Sequence, residues 1–213
     1  MSTATGNIGQ GSLATLRRFV RAPRQQQGEV CELCAKPLEP AHQHLLELEK
    51  RRVTCACEAC AILFDGNARQ RFRRIPRDAR QLHGFLMDDL EWESLLIPIN
   101  LAFFTHSSAA GRVVAQYPSP GGVMESTLDL HSWSAIVERN PVLQQFEPDV
   151  EALLVNRVSE NRLYFRAPID QCFRLVGILR TNWHGLSGGT QVWREIDRFF
   201  NELAHASGEQ RGA

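Results

Sequence analysis

A chain of 213 residues is long enough for one medium domain, or for a small metal module joined to a larger body. With 43% hydrophobic and 23% charged residues it has the composition of an ordinary globular protein, so a sizeable core can be buried. The 24 basic residues balance 24 acidic ones, which leaves no global field to draw in nucleic acid or an anionic membrane.

Met1 to Gly11 is polar, lacks the charged-then-apolar order of an export signal, and has almost nothing to bury, so disorder is expected. Leu13, Leu16, Phe19 and Val20 then recur at helical spacing and predict a short amphipathic helix ending before Pro23. After a linker come the cysteines, and then a basic stretch containing Arg69, Arg71, Arg73, Arg74, Arg77 and Arg80. Leu82 to Leu90 reads as a helix and Ser94 to Phe104 as a buried strand. The latter is the longest apolar region, yet Pro98 and Asn100 interrupt it, and it falls well short of the ~20 residues of a membrane span. A cytoplasmic protein without membrane insertion is expected.

Val113–Tyr117, the turn residues Pro118 to Gly122, and Val123–Leu130 predict a hairpin. Trp133, Ile136 and Val137 place a short helix from about Asp129 to Asn140-Pro141. Ala152–Val158 and Arg162–Arg166 read as two strands joined by Ser159-Glu160-Asn161. Pro168 and Asp170 suit the start of a helix whose apolar face is Ile169, Cys172, Phe173, Val176 and Leu179. A last helix follows Ser187-Gly188-Gly189 and puts Val192, Trp193, Ile196, Phe199, Phe200 and Leu203 on one side. The tail from Ser207 is expected to fray.

The cysteines carry the chemistry. Five of the six lie between Cys31 and Cys60, among them two C-x-x-C pairs, Cys31/Cys34 and Cys57/Cys60. Without an export signal this pattern points to metal binding rather than to disulfides. Two residues between thiolates let one tight turn present both sulfurs, and two such turns supply a tetrahedral shell, as in a zinc ribbon. The intervening residues suffice for a short strand pair linking the knuckles. Zinc is the expected ion; an iron centre of rubredoxin type accepts the same four thiolates. Its knuckles usually carry Gly after the ligands, whereas Ala35-Lys36 and Glu58 stand here. Cys55 could replace Cys57, act as a redox-sensitive neighbour, or pack as a small hydrophobe. If Ala41 to Leu48 is extended, His42, His44, Leu46 and Leu48 share one face, and both imidazoles could lie near the metal or a partner. A closed four-sulfur shell leaves no open position for substrate.

Elsewhere the signals are weaker. The arginine stretch could suggest a nucleic-acid patch, but Asp88-Asp89-Leu90-Glu91-Trp92-Glu93 follows closely, so nucleic acid is not an expected partner. Trp183 to Gly189 lacks the Lys of a P-loop and reads as a tight turn capped by Ser187. Cys172 falls on the apolar stripe of its helix, which makes it a packing residue rather than the nucleophile of a pair with His184. No catalytic constellation emerges.

Cys31-Glu-Leu-Cys34, His42-Gln-His-Leu-Leu-Glu-Leu48 and Cys55-Ala-Cys-Glu-Ala-Cys-Ala-Ile-Leu-Phe64 together resemble an uncharacterised bacterial family. So do Pro148-Asp-Val-Glu-Ala-Leu-Leu-Val-Asn-Arg157, Pro168-Ile-Asp-Gln-Cys-Phe-Arg-Leu-Val-Gly177, and Trp183-His-Gly-Leu-Ser-Gly-Gly189 through Phe200. The likeness runs from about Cys31 to Leu203. Members of that family are encoded beside uptake-type NiFe-hydrogenases and their maturation genes. The resemblance implies a non-catalytic accessory role in assembly, maturation or stabilisation of a NiFe-hydrogenase, with a hydrogenase subunit or a maturation factor as partner. An electron-transferring iron protein is the alternative.

The expected architecture is α+β: an antiparallel sheet with packed helices plus an N-terminal zinc-ribbon-like module. The expected division is a tail and short helix over 1–27, the metal module over 28–66, the α+β domain over 67–206, and a disordered tail over 207–213.

Overall fold

The computed structural model describes residues 28–66, 71–126, 130–185 and 188–209. The helix expected over Leu13–Val20, Arg69, the start of the helix near Asp129, and the cap residue Ser187 lie outside these residues.

Two antiparallel sheets organise the described chain. The smaller is centred on β1 (Gln43–Glu47), which pairs with β2 (Arg52–Ala56) on one side and β3 (Phe72–Arg74) on the other. The β1–β2 register sets His44 opposite Cys55 and Leu46 opposite Val53. Side chains alternate across a strand, and this hairpin uses both faces. Leu45 and Ala56 pack with Phe72 among the cysteines. Leu46 and Val53, one residue out of phase, join the main core. Helix α1 (Glu58–Phe64) follows β2 directly. The third strand lies beyond residue 66, so this sheet draws on residues expected to belong to the body.

The larger sheet has the order β4-β9-β8-β5-β6-β7, with every neighbouring pair antiparallel. Its strands are β4 (Arg80–Gln81), β5 (Leu101–Ser107), β6 (Arg112–Ser119), β7 (Gly122–Ser126), β8 (Glu151–Asn156) and β9 (Leu163–Pro168). All of β8 is buried, because both faces of the sheet are covered. Phe103, Leu154 and Phe165 face one way, under α4 (Ile169–Asn182) and α5 (Gly189–Glu209). Phe104, Leu153 and Val155 face the other way. There they meet Trp92 of α2 (Asp89–Ser94) and Trp133 of α3 (Leu130–Arg139), and Phe104 stacks on Trp133 at 4.8 Å between centroids.

Three expectations are corrected. The helix expected over Leu82–Leu90 starts only at Asp89. Asp88 accepts from the Glu91 amide and the Glu91 carboxylate accepts from the Asp88 amide, a capping box that fixes the start. Residues 82–86 are held in irregular form instead: the Leu82 amide donates to Tyr164 O, and Phe85 stacks on Tyr164. The strand expected from Ser94 begins at Leu101, since α2 occupies the chain through Ser94 and Pro98 has no amide to give a ladder. The expected fray at Ser207 gives way to a helix running to Glu209, in which buried Ser207 donates to Ala79 O at 3.0 Å. In the turn before α5, Gly188 has φ +83°, and a Cβ there would meet Trp183 and Val192 at 3.0 Å.

Candidate metal centre

The first cysteine pair sits in a turn closed on both sides: the Ala35 amide donates to Cys31 O and the Cys31 amide to Lys36 O, each at 2.8 Å. Ala35 follows the second ligand with φ +61°, a left-handed conformation in a residue with a Cβ. The second pair differs from the hairpin turn of a ribbon. Cys57 is the residue that precedes α1, and Cys60 lies in that helix's first turn. The hairpin β1–β2 carries the chain from one pair to the other, as the spacing implied.

The four sulfurs of Cys31, Cys34, Cys57 and Cys60 all lie within 4.8 Å of one another. Cys34 Sγ and Cys57 Sγ are 3.7 Å apart. Metal–sulfur bonds of ~2.3 Å in a tetrahedron give edges of about 3.8 Å, so this spacing fits a shared ion. Cys31, Cys57 and Cys60 are buried and Cys34 is exposed; none of the six cysteines is in a disulfide.

The electrostatics of the cluster are those of thiols competing for charge. Burial pushes the Cys31 thiol up, but backbone amides of Cys57, Leu33 and Cys34 and the Cys34 thiol outweigh it and hold the group down to about 6. Cys60 is pushed up to about 12, first by burial and then by Cys34, Cys57 and Cys31. Four thiolates crowded together cannot all stay ionised alone; a divalent cation reverses that balance. The cluster can therefore bind a metal ion, with all four donors supplied by the chain.

Cys55, His42 and His44 form a second group, their ligand-type atoms within 4.8 Å of one another. Burial raises the Cys55 thiol above its ordinary range, and the carboxylates of Glu29 and Glu32 add to the effect. Composition and spacing singled out these three residues, but only the hairpin register brings them together.

The remaining candidates have internal roles. Arg71 donates to Glu47 at 2.8 Å, Arg73 to Pro148 O at 2.6 Å, Arg74 to Glu58 at 2.8 Å and Arg77 to Ala41 O at 3.1 Å. The basic stretch thus stitches the small sheet to itself and to the body. In the acidic segment, Glu91 pairs with Arg139 at 2.5 Å, and Asp89 pairs with Arg162 and with buried Arg157. Arg157 also donates to Met87 O and Tyr164 Oη, and its guanidinium lies 5.6 Å from the centroid of Trp92. Sequence reading missed Arg157 because nothing in its neighbours distinguishes a buried arginine from a solvated one. Cys172 is fully buried, and burial raises its thiol well above the ordinary value, while His184 is exposed. No helix among the described residues is long and apolar enough to cross a membrane.

An antiparallel α+β body carrying a tetracysteine cluster that could hold a metal ion is the class that fold and site define. The chain belongs to the family of unknown function DUF5947, which matches residues 30–207. No curated protein and no solved structure matches it.

Proposed function

We propose that Cys31, Cys34, Cys57 and Cys60 hold one structural zinc ion, and that the ribbon-like module built on it is the docking element of a non-catalytic accessory protein for a NiFe-hydrogenase. The observation that supports the metal reading is the set of four sulfurs within 4.8 Å of one another, one pair of them 3.7 Å apart; a shell closed by four thiolates leaves no donor position for substrate. Zinc would supply charge neutralisation and a fixed cross-link there, and no redox step. The partner rests on the sequence resemblance to proteins encoded beside hydrogenase genes.

The docking surface is best supported on α1. Ile62 and Leu63 are exposed on a helix whose first turn carries Cys60, so the metal would set their position. Burying these two side chains against a partner would remove apolar surface from water and so favour association. The arginine and acidic segments have less to offer a partner, since so many of their charges are paired within the chain.

Elemental analysis and a visible spectrum on anaerobically purified protein test the metal: one zinc in the cysteine cluster and no colour are expected. Iron with thiolate-to-metal absorption would replace this reading with electron transfer. A pull-down from hydrogenase-expressing cells tests the partner. Recovery of a hydrogenase subunit or maturation factor, reduced in an Ile62→Ser/Leu63→Ser variant that keeps its metal, is expected; recovery of neither would overturn the accessory role.

A further inference from the structure

The β1–β2 hairpin carries a second set of ligand-type side chains. They lie on the opposite face from Leu45 and Ala56, which pack with Cys31, Cys57 and Cys60. His44 is directly across from Cys55 in the ladder, and His42 precedes His44 by two positions. The two imidazoles stand edge to face with centroids 4.9 Å apart.

Each ring has one nitrogen engaged and one free. His42 Nδ1 lies 2.9 Å from Glu39 O. A carbonyl only accepts, so Nδ1 carries the proton and Nε2 keeps a lone pair. That Nε2 is buried with no hydrogen-bond partner, in a side chain only 7% exposed. His44 Nδ1 lies 2.6 Å from Asp170 Oδ2, which likewise leaves its Nε2 available. An oxygen acceptor on the far nitrogen is what orients an imidazole toward a metal and raises its basicity. Cys55 is fixed by its backbone: its amide donates to Glu32 Oε1 at 2.8 Å and its carbonyl accepts from the Glu32 amide at 2.9 Å. A lone pair left unsatisfied in the interior is costly, and a structure that keeps one beside a second imidazole and a thiol has the donors of a binding site.

We propose that His42, His44 and Cys55 bind a second metal ion, a late first-row divalent cation such as zinc, through two imidazole nitrogens and one thiolate. Three protein donors leave a fourth position for water or an exogenous ligand, unlike the closed tetracysteine shell. Asp170 lies in the first turn of α4, so the ion would also tie the small sheet to the body. The site stands on its own donors and does not depend on zinc in the cysteine cluster or on any partner.

Cobalt(II), titrated anaerobically into the metal-free full chain, reads both sites, because thiolate-to-cobalt absorption grows with the number of sulfurs bound. Two equivalents are expected, one with a four-thiolate spectrum and one with the weaker charge transfer of a single thiolate. Cys55→Ser should abolish the second phase and leave the first. Asp170→Asn should weaken the second phase by about 10- to 100-fold. Loss of the four-thiolate phase alone would count against the structural zinc site and leave this one standing. Saturation at one equivalent, with superimposable curves for wild type and Cys55→Ser, would overturn it. A measurement on the wild type needs no variant to fold: with the cysteine cluster filled, further zinc should move the 15N resonances of His42 and His44 Nε2. Unmoved histidine resonances would also overturn the proposal.

Discussion

The two sheets are stabilised by different means. The larger has a core on each face, filled by aromatic and aliphatic side chains from β5, β6, β8 and β9 and from four helices. Among the described residues the smaller buries Leu45, Ala56, Ala61 and Phe72 together with three cysteines, with Leu33, Leu38 and Phe64 half-buried against them, and it leans on the main core through Leu46 and Val53. Apolar burial scales with the surface removed from water. A cluster this small therefore needs a cross-link, and four converging sulfurs are the means of making one. The lesson is that the same alternation of side chains serves a sheet with a large core on both faces in one place, and in another a sheet whose small core is built around four clustered cysteines.

Stripping the metal should break the comparison most sharply. Structural zinc in a small module is worth on the order of 10 kcal/mol of apparent binding free energy, expressed as folding. Hydrogen exchange with and without a strong chelator should show the amides of Leu45 and Thr54 losing protection. Those of Leu153 and Leu154 in β8 should keep it. Equal loss in both sheets would mean that the two regions unfold as one unit.

The converse perturbation is Phe165→Ala, which empties the centre of the larger core. A cost of about 3–5 kcal/mol is expected from chemical denaturation, with unchanged metal content. Metal loss in this variant at temperatures below its unfolding would show that the cysteine cluster depends on the body more than its own contacts suggest.

Asn140→Ala comes next. Asn140 is buried at the end of α3, where its side chain accepts from the Leu86 amide at 2.7 Å and donates to Leu86 O and Ile136 O at 2.8 Å each. Removing it orphans groups in the interior, at about 1–3 kcal/mol for each one left without a partner. The loss should appear as exchange at Leu86 and loosening of residues 82–88, with both sheets intact.

The acid limb of the stability curve sharpens the comparison further. Glu47 has a side chain only 1% exposed, on the small sheet, held by Arg71 and Lys50. Hydrogen bonds from Arg71 and then Lys50 bring its carboxyl down from 4.5 to about 2. The folded value lies below the unfolded one, so the native state favours the ionised form. This contribution is fully present above the unfolded value and is lost as the pH falls from about 5 towards 2. Glu47→Gln should flatten the stability curve across that window relative to wild type. Parallel curves would show that Glu47 keeps the same pKa in both states.

The sequence carries much of this comparison. Apolar runs separated by turn residues marked the strands on either side of 159–161 and the hairpin around Pro118 to Gly122. Helical spacing marked α4 and α5 for the same reason. C-x-x-C spacing identified the four clustered sulfurs. What it could not carry is long-range pairing. β3 and β4 are short runs inside an arginine-rich stretch, with Phe72 their one apolar residue, and they are strands only because β1 and β9 present free edges. His44 and Asp170 are 126 residues apart, so their contact exists only in the fold. The apolar content of residues 82–90 suggested a helix, but Leu82 and Phe85 are used against Tyr164 instead.

The smallest expected effect probes how the first knuckle tolerates its sequence. Ala35 sits at φ +61° and is exposed, so replacing it removes no packing. For an L-residue that conformation costs roughly 1–2 kcal/mol, whereas glycine adopts it freely. Glycine also adds about 0.5–1 kcal/mol of unfolded-state entropy to be lost on folding. The net change for Ala35→Gly is a gain of about 1 kcal/mol or less, and it should be read, in metal-loaded protein, as a slower rate of metal release to a chelator. The strain acts on the turn that presents Cys31 and Cys34, so relieving it should slow release without changing the midpoint at which the larger sheet unfolds. Faster release would mean that the left-handed alanine helps hold the turn closed, and that the missing glycine is part of how this knuckle keeps its shape.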